Sequence, residues 1–161
     1  MTGGGGAPTL PGMLIRPATL DDAQLIADYN AGIALETEHK VLDPVTLLAG
    51  VRHAIERPEV GRYFLAEVDG RVAGQLMITT EWSDWRNANF WWIMSVYVHP
   101  DFRARGVFKA LYRHVEERAR ADAGVCGQRL YVERENGRAQ EVYRRLGMRD
   151  AQYAVYEVDW S

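Results

Sequence analysis

The spacing of apolar residues switches repeatedly along the chain between a helical and a strand period, and each switch marks an element. Leu25, Ile26, Tyr29 and Ile33 recur every three or four residues, which predicts a helix running to about Leu35. Thr19 stands ahead of it as a cap, and Asp21 and Asp22 occupy the first turn, where the helix dipole favours negative charge. Leu47, Leu48, Val51 and Ile55 repeat the spacing behind Asp43-Pro44, a cap followed by a proline at the first helical position, and Arg57-Pro58 ends that second helix. Residues 62–68 and 71–80 then read as strands joined by Asp69-Gly70, a dipeptide suited to a type I′ hairpin because both residues tolerate positive φ. Residues 89–98 are almost uninterrupted in apolar and aromatic side chains, as a central strand covered on both faces requires. Val107, Leu111, Tyr112 and Val115 form the inner stripe of a third helix. A strand over 128–133, a helix from Asn136 to Leu146 stopped by Gly147, and a last strand over 151–158 follow. The short strand Met13-Leu-Ile15 precedes them all.

The order is strand, two helices, three strands, helix, strand, helix, strand, which describes an α/β chain of the α+β type with a mixed sheet and helices on its faces. With 161 residues, 47% of them hydrophobic, the chain has material for one core. Residues 1–12 hold a four-glycine run and two prolines, a composition too poor in apolar surface to offset its ordering entropy, so they are expected to form a disordered tail ahead of a single domain over 13–161. The net charge of -3 argues against a general nucleic-acid binder. No apolar run is long enough to span a bilayer, and no basic segment with an apolar signal core opens the sequence. Cys126 has no partner for a disulfide and no zinc-like Cys/His spacing surrounds it, which suits a reducing cytoplasm, no bound metal and a thiol that is a buried filler or a helix-end residue.

Chemistry gathers in one stretch. Between Ser95 and Tyr112 the chain passes from the apolar strand through a basic turn with Arg103, Arg105 and Gly106 directly into the third helix. The first amides of a helix lack intrahelical partners and sit at the positive end of its dipole, so such a turn suits a diphosphate. A dinucleotide-binding Rossmann unit fits poorly, because its glycine fingerprint belongs after the first strand and here the turn follows the fourth with one glycine. No Gly-Lys-Ser/Thr supports nucleoside triphosphate hydrolysis.

Val96-Tyr97-Val98, followed by Arg103-Ala104-Arg105-Gly106-Val107-Phe108 and a helix, resembles the strand, Arg/Gln-x-x-Gly-x-Gly/Ala turn and helix of the GNAT superfamily, the general-control-type N-acetyltransferases. Leu130-Tyr131-Val132 with Asn136, Ala139, Tyr143 and Leu146-Gly147-Met148 is similar to that family's second motif, and the element order matches from Met13 to Trp160. The resemblance implies a mixed, mostly antiparallel sheet of six to seven strands flanked by about four helices. It also implies transfer of an acetyl group from acetyl-CoA to a primary amine of a small molecule, peptide or protein, in a chain compatible with a homodimer. The backbone of Val96, Tyr97 and Val98 would hold the pantetheine arm as an added strand, and the amides from Arg103 through Ala104, Arg105, Gly106 and Val107 to Phe108 would hold the diphosphate. At least one of Arg103 and Arg105 is expected to touch phosphate, Asn136 to cap its helix and reach the cofactor, and Tyr143 to protonate the leaving thiolate.

Two departures from the family pattern qualify this. Phe108 replaces the usual Gly or Ala, and its ring is expected to turn into the protein with Val107 and Leu111, leaving only its amide to the ligand. The fourth strand carries no Asp or Glu, so Glu81, at the end of the third strand and expected to be partly desolvated, is the substitute base. Glu36, Trp82 and Trp85 are expected to line the acceptor pocket, while most of the tryptophans around the loop are expected in the core. A catalytically silent acyl-CoA-binding module of the same fold is the alternative.

Overall fold

A computed structural model describes residues 10–161 and divides into a unit ending at Leu130 and a unit Tyr131–Ser161. The expected disordered tail over residues 1–12 lies, for residues 1–9, outside the described residues, and residues 10–12 make a turn in which the Leu10 carbonyl accepts from the Met13 amide at 3.1 Å.

The first unit runs β1 (Met13–Pro17), α1 (Ala23–Glu38), α2 (Pro44–Glu56), β2 (Arg62–Val68), β3 (Arg71–Ser83), β4 (Ala88–Val98), α3 (Val107–Ala121) and β5 (Val125–Leu130). The strands lie in sequence order in one sheet; β1 to β4 pair antiparallel and β5 joins β4 in parallel. Asp69 and Gly70 adopt φ of 51° and 75°, the double positive φ that their turn demands. Asp43 caps α2 by accepting the Thr46 amide at 2.8 Å. The start of α1 is pinned differently. Arg16 on β1 donates to both carboxylate oxygens of Asp22, at 2.7 and 2.9 Å, and to Glu67 on β2 at 2.9 Å, tying two strands to the turn that opens the helix. Ile26 of α1, Val51 of α2 and Leu65 of β2 belong to one buried cluster, while Leu111 and Val115 of α3 are wholly buried in contact with the sheet. Each such side chain contributes roughly 2 kcal/mol of burial.

The sheet has five strands, not six to seven. Residues 151–158 have the side chains of a strand but pair with nothing among the described residues and are exposed; β-propensity expresses itself only where a neighbour completes the ladder. The strand expected over 128–133 begins earlier, at Val125, and stops at Leu130, because its parallel partner β4 supports it only as far as Ile93. Cys126 lies exposed on β5 rather than buried. Of the four tryptophans around the β3–β4 loop and β4, Trp91 is buried, Trp92 is half-buried, and Trp82 and Trp85 are exposed, so the expectation that most of these four pack in the core does not hold.

In the second unit, α4 (Gly137–Arg145) starts at Asn136, whose Oδ1 accepts the Ala139 amide at 3.0 Å. It ends at Gly147 with φ of 92°, where the Met148 amide returns to the Tyr143 carbonyl at 3.0 Å and the Gly147 amide to Arg144 at 3.0 Å, a left-handed cap that only glycine enters without strain.

Candidate active site

β4 changes character along its length. Up to Ile93 it is an interior strand between β3 and β5; the last β5 pairing is Ile93 with Leu130, so residues 94–98 have β3 on one side and, among the described residues, no paired strand on the other. At the same point β4 is bulged. Met94 pairs with Met77 and Tyr97 with Gln75, so Ser95 and Val96 together oppose Leu76, and Ser95 takes φ of 51°. The bulge resets the alternation beyond it. The His99 amide donates to Ala73 of β3 at 2.8 Å, which places the backbone groups of Tyr97 on the β3 side and those of Val96 and Val98 on the open side. The Val98 carbonyl is accordingly available to Arg103, whose Nε donates to it at 3.0 Å. An added strand-like ligand would therefore find two of the three expected residues, Val96 and Val98, presenting backbone groups.

The open edge leads into the basic turn. After a short helical turn over Pro100–Phe102, Ala104 and Gly106 adopt φ of 59° and 79°, and α3 begins at Val107. Successive residues of this kind turn amides toward a common side, and the helix dipole adds positive potential there. Ala110 is the first α3 amide with a described backbone acceptor, Gly106 at 3.0 Å, and the described hydrogen bonds give no acceptor to the amides of Ala104, Arg105, Gly106 or Val107. Gly74 lets this corner close: a Cβ there would lie 2.8 Å from the Tyr97 carbonyl oxygen and 3.0 Å from Val107 Cγ1. The donor set of free amides beside an open strand edge fits a diphosphate continued by an amide-containing arm.

The side chains of the turn behave less simply. Arg103 Nη2 donates to both oxygens of Glu36, at 3.0 and 2.9 Å, so a residue expected at the phosphates and one expected at the acceptor form an ion pair between the turn and the end of α1. Arg105 is exposed and places its guanidinium 5.5 Å from the Phe102 ring. Phe108 is half-buried with its ring 6.2 Å from that of the buried Tyr112, one helical turn on, whereas Val107 and Leu111 are fully buried.

The acceptor residues do not converge. Glu81 pairs across the strands with Phe90, four residues and about 13 Å along β4 from Met94, where the edge opens. Its carboxylate accepts from Arg129 Nη1 at 2.6 Å and its side chain is 45% exposed, so the expected base is held in an ion pair. Trp82 and Trp85 stand at the outer end of the β3–β4 hairpin, exposed by 58% and 88%. Among the described residues no group of three or more His, Cys, Asp and Glu side chains gathers as a metal site would need.

In the second unit, burial pushes the Tyr143 phenol up from its ordinary value, which keeps it protonated across the neutral range. Asn136 is engaged as the cap of α4.

One cluster escaped the sequence reading. Gln75 of β3 is fully buried; its Nε2 donates to Asn30 Oδ1 on α1 at 2.8 Å and to the Ser95 carbonyl at 3.1 Å. Asn30 Nδ2 donates to the Tyr63 hydroxyl on β2 at 3.2 Å, and burial pushes the Tyr63 phenol up. The signal was present: Gln75 interrupts the apolar run from Val72 to Ile78, and Asn30 falls four residues after Ile26 on the inward face of its helix.

Residues 31–148 match the model of the acetyltransferase (GNAT) family. No curated protein matches the chain. Among solved structures, a possible acetyltransferase from Clostridium difficile 630 is 41% identical, with a TM-score of 0.86 over 91% of this chain and 97% of its own. A probable acetyltransferase is 24% identical, with a TM-score of 0.80 over 92% and 98%. A predicted acetyltransferase from Clostridium acetobutylicum, solved with acetyl-CoA, is 15% identical, with a TM-score of 0.73 over 91% and 96%.

Proposed function

The chain belongs to the acetyltransferase (GNAT) family, and on that premise we propose that it is an N-acetyltransferase that takes its acetyl group from acetyl-CoA and delivers it to a primary amine of a small molecule, peptide or protein. The observation that carries this reading is the open edge of β4 running into a turn with unbonded amides at the start of α3. The amides of Ala104 to Val107 hold the diphosphate, with the exposed Arg105 guanidinium, now on the Asp101 carbonyl at 3.5 Å, turning to reach it, and the backbone of Val96 and Val98 holds the amide-bearing arm. Acetyl-CoA, when bound, supplies an acetyl group activated as a thioester, as the solved acetyltransferase with acetyl-CoA illustrates for its own fold. Tyr143 donates the proton that the departing sulfur requires, supported by its place in the second motif. The incoming amine must be unprotonated, and with Glu81 held by Arg129 and no carboxylate on β4, its proton leaves to water.

Release of free thiol from acetyl-CoA in the presence of a panel of primary amines tests the reading. Turnover on at least one amine is expected, and Tyr143→Phe should lower kcat about 10- to 100-fold while leaving the affinity for CoA unchanged. The engagement of Glu81 favours a second reading, a CoA-binding module without catalysis. Saturable CoA binding with no turnover on any amine would select it, and absence of CoA binding would dismiss both.

A further inference from the structure

We propose that Gln75 is a positioning residue that decides which backbone groups of β4 face the open edge, and that it does so by holding the Ser95 carbonyl. The inference rests on the reading of that edge as the seat of the CoA arm.

Ser95 pays no steric toll in an extended strand, yet here its φ is 51°, a conformation that costs a non-glycine residue about 1–2 kcal/mol. Something must offset that cost. The bulge turns the Ser95 carbonyl out of the β3–β4 ladder, and the group that receives it is the Gln75 side-chain amide, at 3.1 Å. Gln75 is itself held by Asn30 at 2.8 Å and Asn30 by Tyr63 at 3.2 Å, so a chain of hydrogen bonds through β2, α1 and β3 ends on the carbonyl of one strained residue of β4. Buried polar networks in a low-dielectric interior specify one conformation, because each member that loses its partner is left unsatisfied. Gln75 Oε1 already has no partner, so an acceptor is kept buried at a cost that an apolar side chain would not incur. Packing alone does not account for glutamine at this position.

The consequence lies two residues further on. With the bulge in place, Tyr97 faces β3, and Val96 and Val98 face the open edge. Without a donor for its carbonyl, Ser95 gains by returning to extended φ and rejoining the ladder. That slip of one residue reverses the alternation, so Tyr97 would face the edge and the groups of Val96 and Val98 would be turned into the sheet. Tyr97 is ill placed for the exchange: its ring stacks 4.7 Å from that of Tyr29 and touches the backbone at Gly32, where an added Cβ would lie 3.3 Å away.

Calorimetric titration of the full chain with CoA and with ADP, which carries a diphosphate and no arm, separates positioning from general damage. Gln75→Met should weaken CoA binding about tenfold, the worth of one or two lost backbone hydrogen bonds, while ADP binding at the helix terminus stays the same. Asn30→Ala, at a half-buried position and so a milder change, should move CoA in the same direction by about threefold and again spare ADP. Equal loss of CoA and ADP binding, or no change in either, would overturn the role of Gln75. Failure of the unaltered chain to bind CoA would instead remove the reading of the edge, and this inference with it.

Discussion

The region proposed to hold the cofactor and the residues expected at the acceptor are made of different material. Toward the cofactor, the β4 edge and the turn from Arg103 to Val107 offer backbone groups whose directions are fixed by a bulge, two left-handed residues and a glycine at the crossing with α3. The residues expected at the acceptor, Glu36, Glu81, Trp82 and Trp85, are exposed side chains, and both carboxylates are engaged by arginines. Backbone geometry of this kind admits few residue types at few positions. An exposed side chain can be exchanged at little cost, so the first region leaves a readable pattern and the second does not.

The largest test of that contrast is Gly74→Val. Its side chain would begin 2.8 Å from a backbone oxygen of β4 and 3.0 Å from Val107, and neither can yield without separating β4 from α3. A loss of about 3 kcal/mol in stability and loss of measurable CoA binding are expected, by urea denaturation and calorimetry. Full CoA affinity in this variant would show that the corner does not hold the cofactor.

Next in size is the anchor of α1, the helix that carries Glu36. The Arg16 guanidinium, helped by the Thr19 amide, holds the Asp22 carboxyl below its ordinary value against an opposing effect of burial. The folded pKa thus lies below the unfolded one, near 3.9, and the stabilisation is complete above about pH 5 and fades as pH falls through the folded value. Asp22→Asn should cost about 2 kcal/mol at pH 7 and flatten the loss of stability between about pH 5 and pH 2, read by thermal denaturation across that range. A pH profile as steep as that of the parent would mean that other carboxylates carry the acid sensitivity.

Glu36→Gln is a smaller perturbation and sharpens the boundary between the two sides. Arg103 is shared: its Nε serves the Val98 carbonyl and its Nη2 serves Glu36, both side chains being nearly half exposed. Exposed ion pairs contribute about 0.5 kcal/mol, so releasing Arg103 should tighten CoA binding by about twofold to threefold if the guanidinium then turns to phosphate. Weaker CoA binding would show that Glu36 helps the turn by fixing Arg103 in place.

Legibility followed the same division. The helices of the first unit, the Asp69-Gly70 turn, the cap at Asp43 and the basic turn could be read because each rests on local spacing or on a φ that few residues accept. The last strand over 151–158 could not be judged from its own residues, since a ladder is a property of two segments. Glu81 looked like a free carboxylate because Arg129, its partner, is 48 residues away in sequence. The bulge at Ser95 was invisible for a related reason: nothing in Met94-Ser95-Val96 announces a positive φ, and the residues that stabilise it come from three other elements.

Trp85→Ala is expected to do least, and for that reason it is the sharpest test of how separate the two sides are. The indole is 88% exposed in the turn between β3 and β4, with its amide hydrogen-bonded by Asp84 at 3.0 Å, and truncation leaves that backbone contact intact. Stability should stay within about 0.5 kcal/mol of the parent and CoA affinity should not change. If the hairpin tip serves the acceptor, the effect will appear only as a higher KM for the amine at unchanged kcat, the signature of lost uniform binding. A fall in CoA affinity would mean that the tip reaches the cofactor edge despite lying at the far end of β4, and the division between a backbone-built side and a side-chain-built side would have to be redrawn around the hairpin.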